Sequence, residues 1–186
     1  MAKITSPGIT ISRIHLEGKN INRIVRRIKD LEGLFADKHA FDQTDQAMIV
    51  YEVESYFPVS DGTEGGLFYG ITHIKPGKIG NEYFMTKGHS HIIENRAEYY
   101  WGIEGEGVLL SMDKNRNIQG ERMLPGSLHY IKGETAHRVV NTGNSVLSFG
   151  ACWPSDAGHN YETVARTGFS ARVMEVDGRP EIVQSV

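Results

Sequence analysis

Residues 86–107 read TKGHSHIIENRAEYYWGIEGEG. Two histidines, His89 and His91, stand one residue apart, and Glu98 follows seven residues later. Side chains at i and i+2 of a strand share a face, so these two imidazoles converge if the segment is extended. The polar turn IIENR separates them from AEYYWGIEG, an aromatic and β-branched run that predicts the next strand. Farther along, ETAHRVVN adds His137 on a later strand. Three imidazoles and a carboxylate suit Mn, Fe, Ni, Zn or Cu, with positions left for water or substrate. At this level, separate surface or core histidines remain the plain alternative.

The surroundings predict an all-β protein. From residue 48 the chain runs through MIVYEVESYF, LFYGITHIK, NEYFMT, AEYYWGIEG, GVLLSMD, SLHYIKG, HRVVNTG and VLSFGACW. Glycine- and proline-rich punctuation separates these short runs, the texture of an antiparallel barrel or sandwich. The tail FSARVMEVDGRPEIVQ predicts one more hairpin with its turn at DG. Ahead of the strands, Ile21, Ile24, Val25, Ile28 and Leu31 recur at helical spacing and Gly33 stops the run, so a helix is expected over about 20–33. Arg23, Arg26, Arg27 and Lys29 fall mainly off that apolar face and are expected in solvent. One domain results, with an N-terminal arm at 1–47, a barrel core at 48–152 and an extension at 153–186.

Bulk properties narrow the function classes. A chain of 186 residues buries a sizeable core without staples. A net charge of −3 gives no general attraction to nucleic acid or to an anionic membrane. The single cysteine, Cys152, rules out an internal disulfide and a cysteine-rich metal site. No apolar run approaches the ~18 residues of a membrane span. MAKITSPGITISRIH lacks the apolar stretch of a secretory signal, so a cytoplasmic protein is expected.

The motifs then become recognisable. HSH with Glu98 and Gly105, and HRVVN farther on, resemble the two motifs of the cupin superfamily, although the histidine–glutamate gap is longer than usual and KGE stands where P-x-G is common. KPGKIG, TKGHSH, RAEYY, AHRVVN and PSDAGHNY, in that order, resemble cupin-type (archaeal-type) phosphoglucose isomerase over roughly residues 20–175. The resemblance implies a cupin β-barrel, a double-stranded β-helix or jelly roll, and interconversion of glucose 6-phosphate and fructose 6-phosphate. It implies one divalent metal ion per subunit on His89, His91, Glu98 and His137, iron first, with Mn, Zn or Ni also accepted. It places phosphate on Thr72, Thr86 and Gly88, and the sugar against Tyr51, Tyr100, His159 and Tyr161. Trp153 stands where the family has a tyrosine, and an indole cannot make every hydrogen bond of a phenol. A homodimer is implied as well.

Two details stay open at this level. Counting back from His89, alternation points Lys87 inward and Thr86 outward, the reverse of the family assignment, unless Gly88 holds a bulge. The chemistry is either an enediol route, with a base moving the C2 proton to C1, or a hydride shift between the two carbons. Glu98, His137 and Tyr100 are the expected catalytic residues, with Glu98 as base. A non-haem iron cupin oxygenase and a non-catalytic sugar-phosphate-binding cupin are the alternatives. Mannose 6-phosphate is a conceivable further substrate.

Overall fold

Residues 4–185 are described by the computed structural model; residues 1–3 and 186, the outermost ends of the expected arm and tail, lie outside the described residues. The chain begins with a hairpin of β1 (Ile9–Ser12) and β2 (His15–Gly18). β3 (Ile21–Arg27) runs into a 3-10 turn at Ile28–Leu31, and the short helix α1 (Lys38–Gln43) follows. β4 (Ile49–Tyr56) and β5 (Leu67–Ile74) are long strands. Three two-residue strands, β6 (Lys78–Ile79), β7 (Glu82–Tyr83) and β8 (Ser90–His91), lead to β9 (Glu98–Glu104). Then come β10 (Gly107–Met112), β11 (Ile118–Met123), β12 (Leu128–Ile131), β13 (Ala136–Asn141) and β14 (Leu147–Pro154). β15 (His159–Asn160), α2 (Glu162–Thr167), β16 (Ala171–Val176) and β17 (Arg179–Gln184) complete the order.

The main sheet has the order β12-β9-β14-β5-β4-β3, and a three-stranded sheet has the order β11-β10-β13. Their shared core includes Phe149 and Ile74 from the first and Leu109 and Val139 from the second. This is the expected all-β jelly roll: the strands form separate sheets, not one closed ring of hydrogen bonds. β13 is buried at all six positions, so its run HRVVN reads as continuously covered instead of alternating. A four-stranded sheet, β17-β16-β7-β6, packs the tail hairpin onto the body. Its turn is at Asp177 (φ 49°) and Gly178 (φ 74°), the paired positive φ values of the turn that DG favours. Among the described residues no helix is long and apolar enough to cross a membrane.

The helix expected over about 20–33 is absent. Residues 21–27 are a strand paired antiparallel with β4, from Ile21 opposite Tyr56 to Arg27 opposite Ile49. The physical reason lies in the residues and their neighbour. Ile and Val suit an extended backbone at least as well as a helix, and the edge of β4 offers a ladder of backbone groups that an arm in helical form would leave unpaired. Residues 21–27 of the expected arm are therefore the edge strand of the main sheet. Only Ile28 and Leu31, in the 3-10 turn, keep the buried role that the helical spacing assigned to them. The real helix, α1, starts where Asp37 caps it, its side chain accepting from the Ala40 amide at 2.8 Å. β11 also escaped the sequence reading, because IQGERM is exposed or half-buried at its first five positions and carries no alternation.

One buried ion pair ties the first residues after β3 to the tail. Glu82 is almost fully buried; Arg172 Nη1 donates to its carboxylate at 2.8 and 3.0 Å and to the Leu34 carbonyl at 2.6 Å, and the Ala36 amide donates to Glu82 at 2.9 Å. Arg172→Met would strand that carboxylate. The expected cost is about 3 kcal/mol, the lower end for a broken buried pair because Arg172 is partly exposed. Calorimetry should read this as a Tm lower by roughly 6–12 °C. A shift below about 2 °C would show that water satisfies Glu82 without the arginine.

Candidate metal centre and substrate cavity

Period-2 alternation on five adjacent strands builds one wall. Tyr51, Val53 and Ser55 of β4 face inward with Gly70 and Thr72 of β5. Cross-strand register then aligns Val53 with Thr72, Thr72 with Phe149, and Ala151 with Tyr100. The result is a cavity of about 300 Å³ over the inner face of the main sheet. That volume is at the small end for ligand sites, suited to a compact polar molecule.

The three histidines reach this floor from two directions. His89 and His137 form a hydrogen-bonded antiparallel pair, each amide donating to the other's carbonyl at 3.1 and 2.9 Å. His91 sits on β8 opposite His159 of β15. Glu98 opens β9. Its Oε1 lies 2.7 Å from His137 Nε2, 3.1 Å from His91 Nε2 and 3.9 Å from His89 Nε2. His91 Nδ1 lies 2.8 Å from the Arg96 carbonyl and His137 Nδ1 lies 3.3 Å from the Thr135 carbonyl. A carbonyl only accepts, so both Nδ1 atoms carry a proton, which turns the Nε2 atom of each ring toward Glu98. Attraction between these nitrogens and the carboxylate needs a cation among them, either a proton on an imidazole or a metal ion. Among the described residues, His89 Nε2, His91 Nε2 and Glu98 Oε1 are buried without a conventional hydrogen-bond partner. Four ligand atoms, one from each of these residues, lie within 4.8 Å of one another, and three imidazoles with a carboxylate fit a first-row divalent ion.

Burial lowers the His91 pKa, but the Glu98 carboxylate outweighs it and raises it above the ordinary histidine value, so a proton competes with a metal ion at that ring. Burial opposes ionisation of Glu98, but His137, His91 and His89 outweigh it and hold the carboxyl far below its usual range. Burial, then His137 and His159, pushes His89 well below the ordinary histidine value, which keeps its imidazole neutral and able to act as a ligand. Burial raises the Tyr100 phenol well above its usual value, so it stays protonated, 3.3 Å from His137 Nε2. Tyr51 is pushed up to about 12, chiefly by burial.

At one end of the cavity the chain solves the register conflict around Gly88. Met85 bridges Val140 and His89 bridges His137, so four steps on one side oppose three on the other. The extra residue is a bulge. Gly88 has φ 77°, and a Cβ there would meet Phe169 Cε2 at 2.9 Å, so only glycine fits. Buried Arg138 pins the bulge by donating from Nη2 to the Lys87 carbonyl at 2.9 Å. Thr86, Lys87 and Gly88 all line the cavity as a result. Thr86 Oγ1 accepts from the Val139 amide at 3.1 Å, leaving its hydroxyl proton to donate elsewhere. Burial and the nearby Arg26 cation lower the Lys87 pKa.

The family model described as glucose-6-phosphate isomerase (GPI) matches residues 25–186. The chain belongs to the glucose-6-phosphate isomerase family. It is 40% identical over 164 residues to a protein of Thermococcus kodakarensis named glucose-6-phosphate isomerase, covering 88% of this chain and 86% of that relative. The namesake from Thermococcus litoralis is 39% identical, with 87% and 85% covered. A Rhizobium meliloti protein named putative glucose-6-phosphate isomerase 2 is 36% identical, with 89% and 83% covered. Among solved structures, oxalate decarboxylase of Lactobacillus farciminis in a formate complex overlaps 60% of this chain and 30% of its own, at 15% identity and TM-score 0.47.

The residues expected for an isomerase of this family gather in one place. Tyr51, Thr72, Thr86, Gly88, Trp153, His159 and Tyr161 line the cavity together with His89, Glu98 and Tyr100; His91 and His137 stand behind them. Trp153 is wedged among aromatic rings, 5.9 Å from Phe68 and 6.0 Å from His159. Two groups were missed. Arg26 lines the cavity from β3, so the expectation of solvated arginines on a helix fails at that residue. Register decides this: Arg26 lies opposite the cavity residue Tyr51. Asp61 joins from the β4–β5 loop, and no local pattern marks it.

Proposed function

We propose that this chain interconverts glucose 6-phosphate and fructose 6-phosphate in the cavity, with a divalent ion on His89, His91, Glu98 and His137. The observation that carries the reading is the convergence of three imidazole nitrogens on Glu98 Oε1 at the floor of a cavity that also carries Arg26, Lys87, Thr86 and Gly88. Family membership supplies the substrate. Iron as the ion and a homodimer go with the proposal and rest on the family resemblance alone.

The chain's own residues divide the work by place. Arg26, Lys87, the Thr86 hydroxyl and the Gly88 amide offer donors to the phosphate, with Thr72 beside them; this remote binding aligns C1 and C2. Tyr51, Tyr100, His159 and Tyr161 present protonated phenols and an imidazole to the sugar hydroxyls. Glu98 is the acceptor for the C2 proton, and Tyr100 is a donor that stays neutral. A divalent ion, when bound, supplies Lewis-acid stabilisation of negative charge on the substrate oxygens. The deciding experiment is anaerobic turnover of fructose 6-phosphate by metal-depleted protein re-supplied with Fe, Mn, Zn and Ni in turn. Binding without turnover would leave a sugar-phosphate-binding protein, and oxygen consumption would leave an oxygenase.

Phosphate binding has its own test. Thr86→Val removes a hydroxyl donor but keeps the shape, and a hydrogen bond to a charged group is worth about 1.5–3 kcal/mol. The KM for fructose 6-phosphate should rise roughly 10- to 150-fold with little change in kcat. If Lys87→Met raises KM and Thr86→Val does not, the phosphate sits on the cation and the family position is wrong for this chain.

A further inference from the structure

The reverse side of the main sheet carries a second cluster of metal-binding side chains. Val53 and Thr72 face the cavity, so their neighbours Glu54 of β4 and His73 of β5 project from the opposite face. The β1–β2 hairpin lies against that face and brings His15, the first residue of β2. One ligand atom each from His15, Glu54 and His73 lies within 4.8 Å of the other two. The two rings are 4.7 Å apart. Glu54 is buried; its Oε2 accepts from the Leu16 amide at 2.6 Å and its Oε1 is 3.0 Å from His15 Nδ1.

The tautomer of His73 follows from its neighbours. Its Nδ1 lies 2.8 Å from Ser148 Oγ, and the Ser148 hydroxyl donates its one proton to Glu104 Oε1 at 3.1 Å. Ser148 can therefore only accept from His73, so Nδ1 carries the ring proton and Nε2 is a bare lone pair. His73 is 5% exposed, and Nε2 is buried without a partner among the described residues. A buried acceptor left without a donor is costly, and a carboxylate or hydroxyl holding a metal-binding histidine by its other nitrogen is how such ligands are oriented. Arg23 Nε, 3.6 Å from Glu54 Oε1, is the competing cation. Its side chain is more than half exposed, and its Nη2 also donates to the Leu16 carbonyl at 3.2 Å, so an entering ion displaces one exposed guanidinium from Glu54.

We propose that His15, Glu54 and His73 are a second divalent-metal site, a two-histidine, one-carboxylate set that takes Zn²⁺ and fastens the N-terminal hairpin to the sheet. The ion bonds to a lone pair on each imidazole and to one carboxylate oxygen, and any proton shared between His15 and Glu54 leaves to solvent. The role is structural, because the cluster faces away from the cavity.

Metal-depleted full-length protein, dialysed against Zn²⁺ at neutral pH and counted by elemental analysis, tests this. Unaltered protein should hold one ion per chain more than His15→Ala, whose substituted residue is largely exposed and whose fold is not at risk. His73→Gln should lose the same ion, and His89→Ala should lose a different one, so that His15→Ala with His89→Ala loses both. Zn²⁺ should also slow proteolysis within residues 9–18 of the unaltered protein but not of His15→Ala. Equal zinc content in unaltered protein, His15→Ala and His73→Gln would overturn the proposal, and so would protection of the hairpin that survives His15→Ala.

Discussion

Glu98→Gln, assayed at saturating metal, is expected to lower kcat by ~10²–10⁴, the usual worth of a positioned proton acceptor. Glutamine keeps the shape and one carbonyl oxygen among the three imidazoles, but it cannot take a proton. The carboxyl of Glu98 is held far below its usual range by the histidines around it, against the opposing effect of burial. Such a base is intrinsically weak, so its effect rests on position within a cavity that shields it from water. If Glu98 only held the ion, excess metal would restore kcat in the variant. Near-normal kcat would remove Glu98 as base and leave Asp61 and His159 as the cavity groups able to accept a proton. Solvent deuterium incorporated at C2 by the unaltered protein would support the proton-transfer route. Its absence would favour a hydride shift, although a shielded enediol that keeps its proton gives the same result.

The second large effect is expected from His89→Ala: bound metal and isomerase activity should fall together. Losing a ligand should weaken metal binding beyond the ~10–100-fold typical of losing an outer supporting group. His89 is the informative choice. Its Nε2 is the farthest of the three from Glu98 Oε1, at 3.9 Å, and its ring faces the cavity, 4.3 Å from the His159 ring. The substitution therefore opens space at the cavity and leaves the deeper His137 packing in place. Elemental analysis of the folded variant is the measurement. Full occupancy would strike His89 from the ligand set.

Much of the site was legible because its signals are local. His89 and His91 share a face by strand period, Tyr100 follows Glu98 by the same period, and glycine-bounded β-branched runs mark most strands. The DG turn of the tail hairpin is equally local, since its backbone demands positive φ where Asp177 and Gly178 stand. Residues 21–27 show the limit. Their apolar spacing fits a helix, and the strand exists because β4 supplies a ladder partner from 22 or more positions along the chain.

What the sequence determined by itself is the identity and short-range order of the chemistry: an all-β chain, a histidine–glutamate set on two successive strands with a further histidine on a later one, and motifs like those of the isomerase family. Only the tertiary structure decided which faces meet. The bulge before His89 comes from unequal spacing between its two bridges to β13, and it brings Thr86 and Lys87 to the same cavity. Arg26 reaches the cavity because its register sets it beside Tyr51. His15, Glu54 and His73 become a cluster only when the first hairpin folds over the sheet. The physical reason is that local pattern encodes the direction of a side chain relative to its own backbone, whereas its neighbours are chosen by hydrogen-bonded pairing and burial between distant segments.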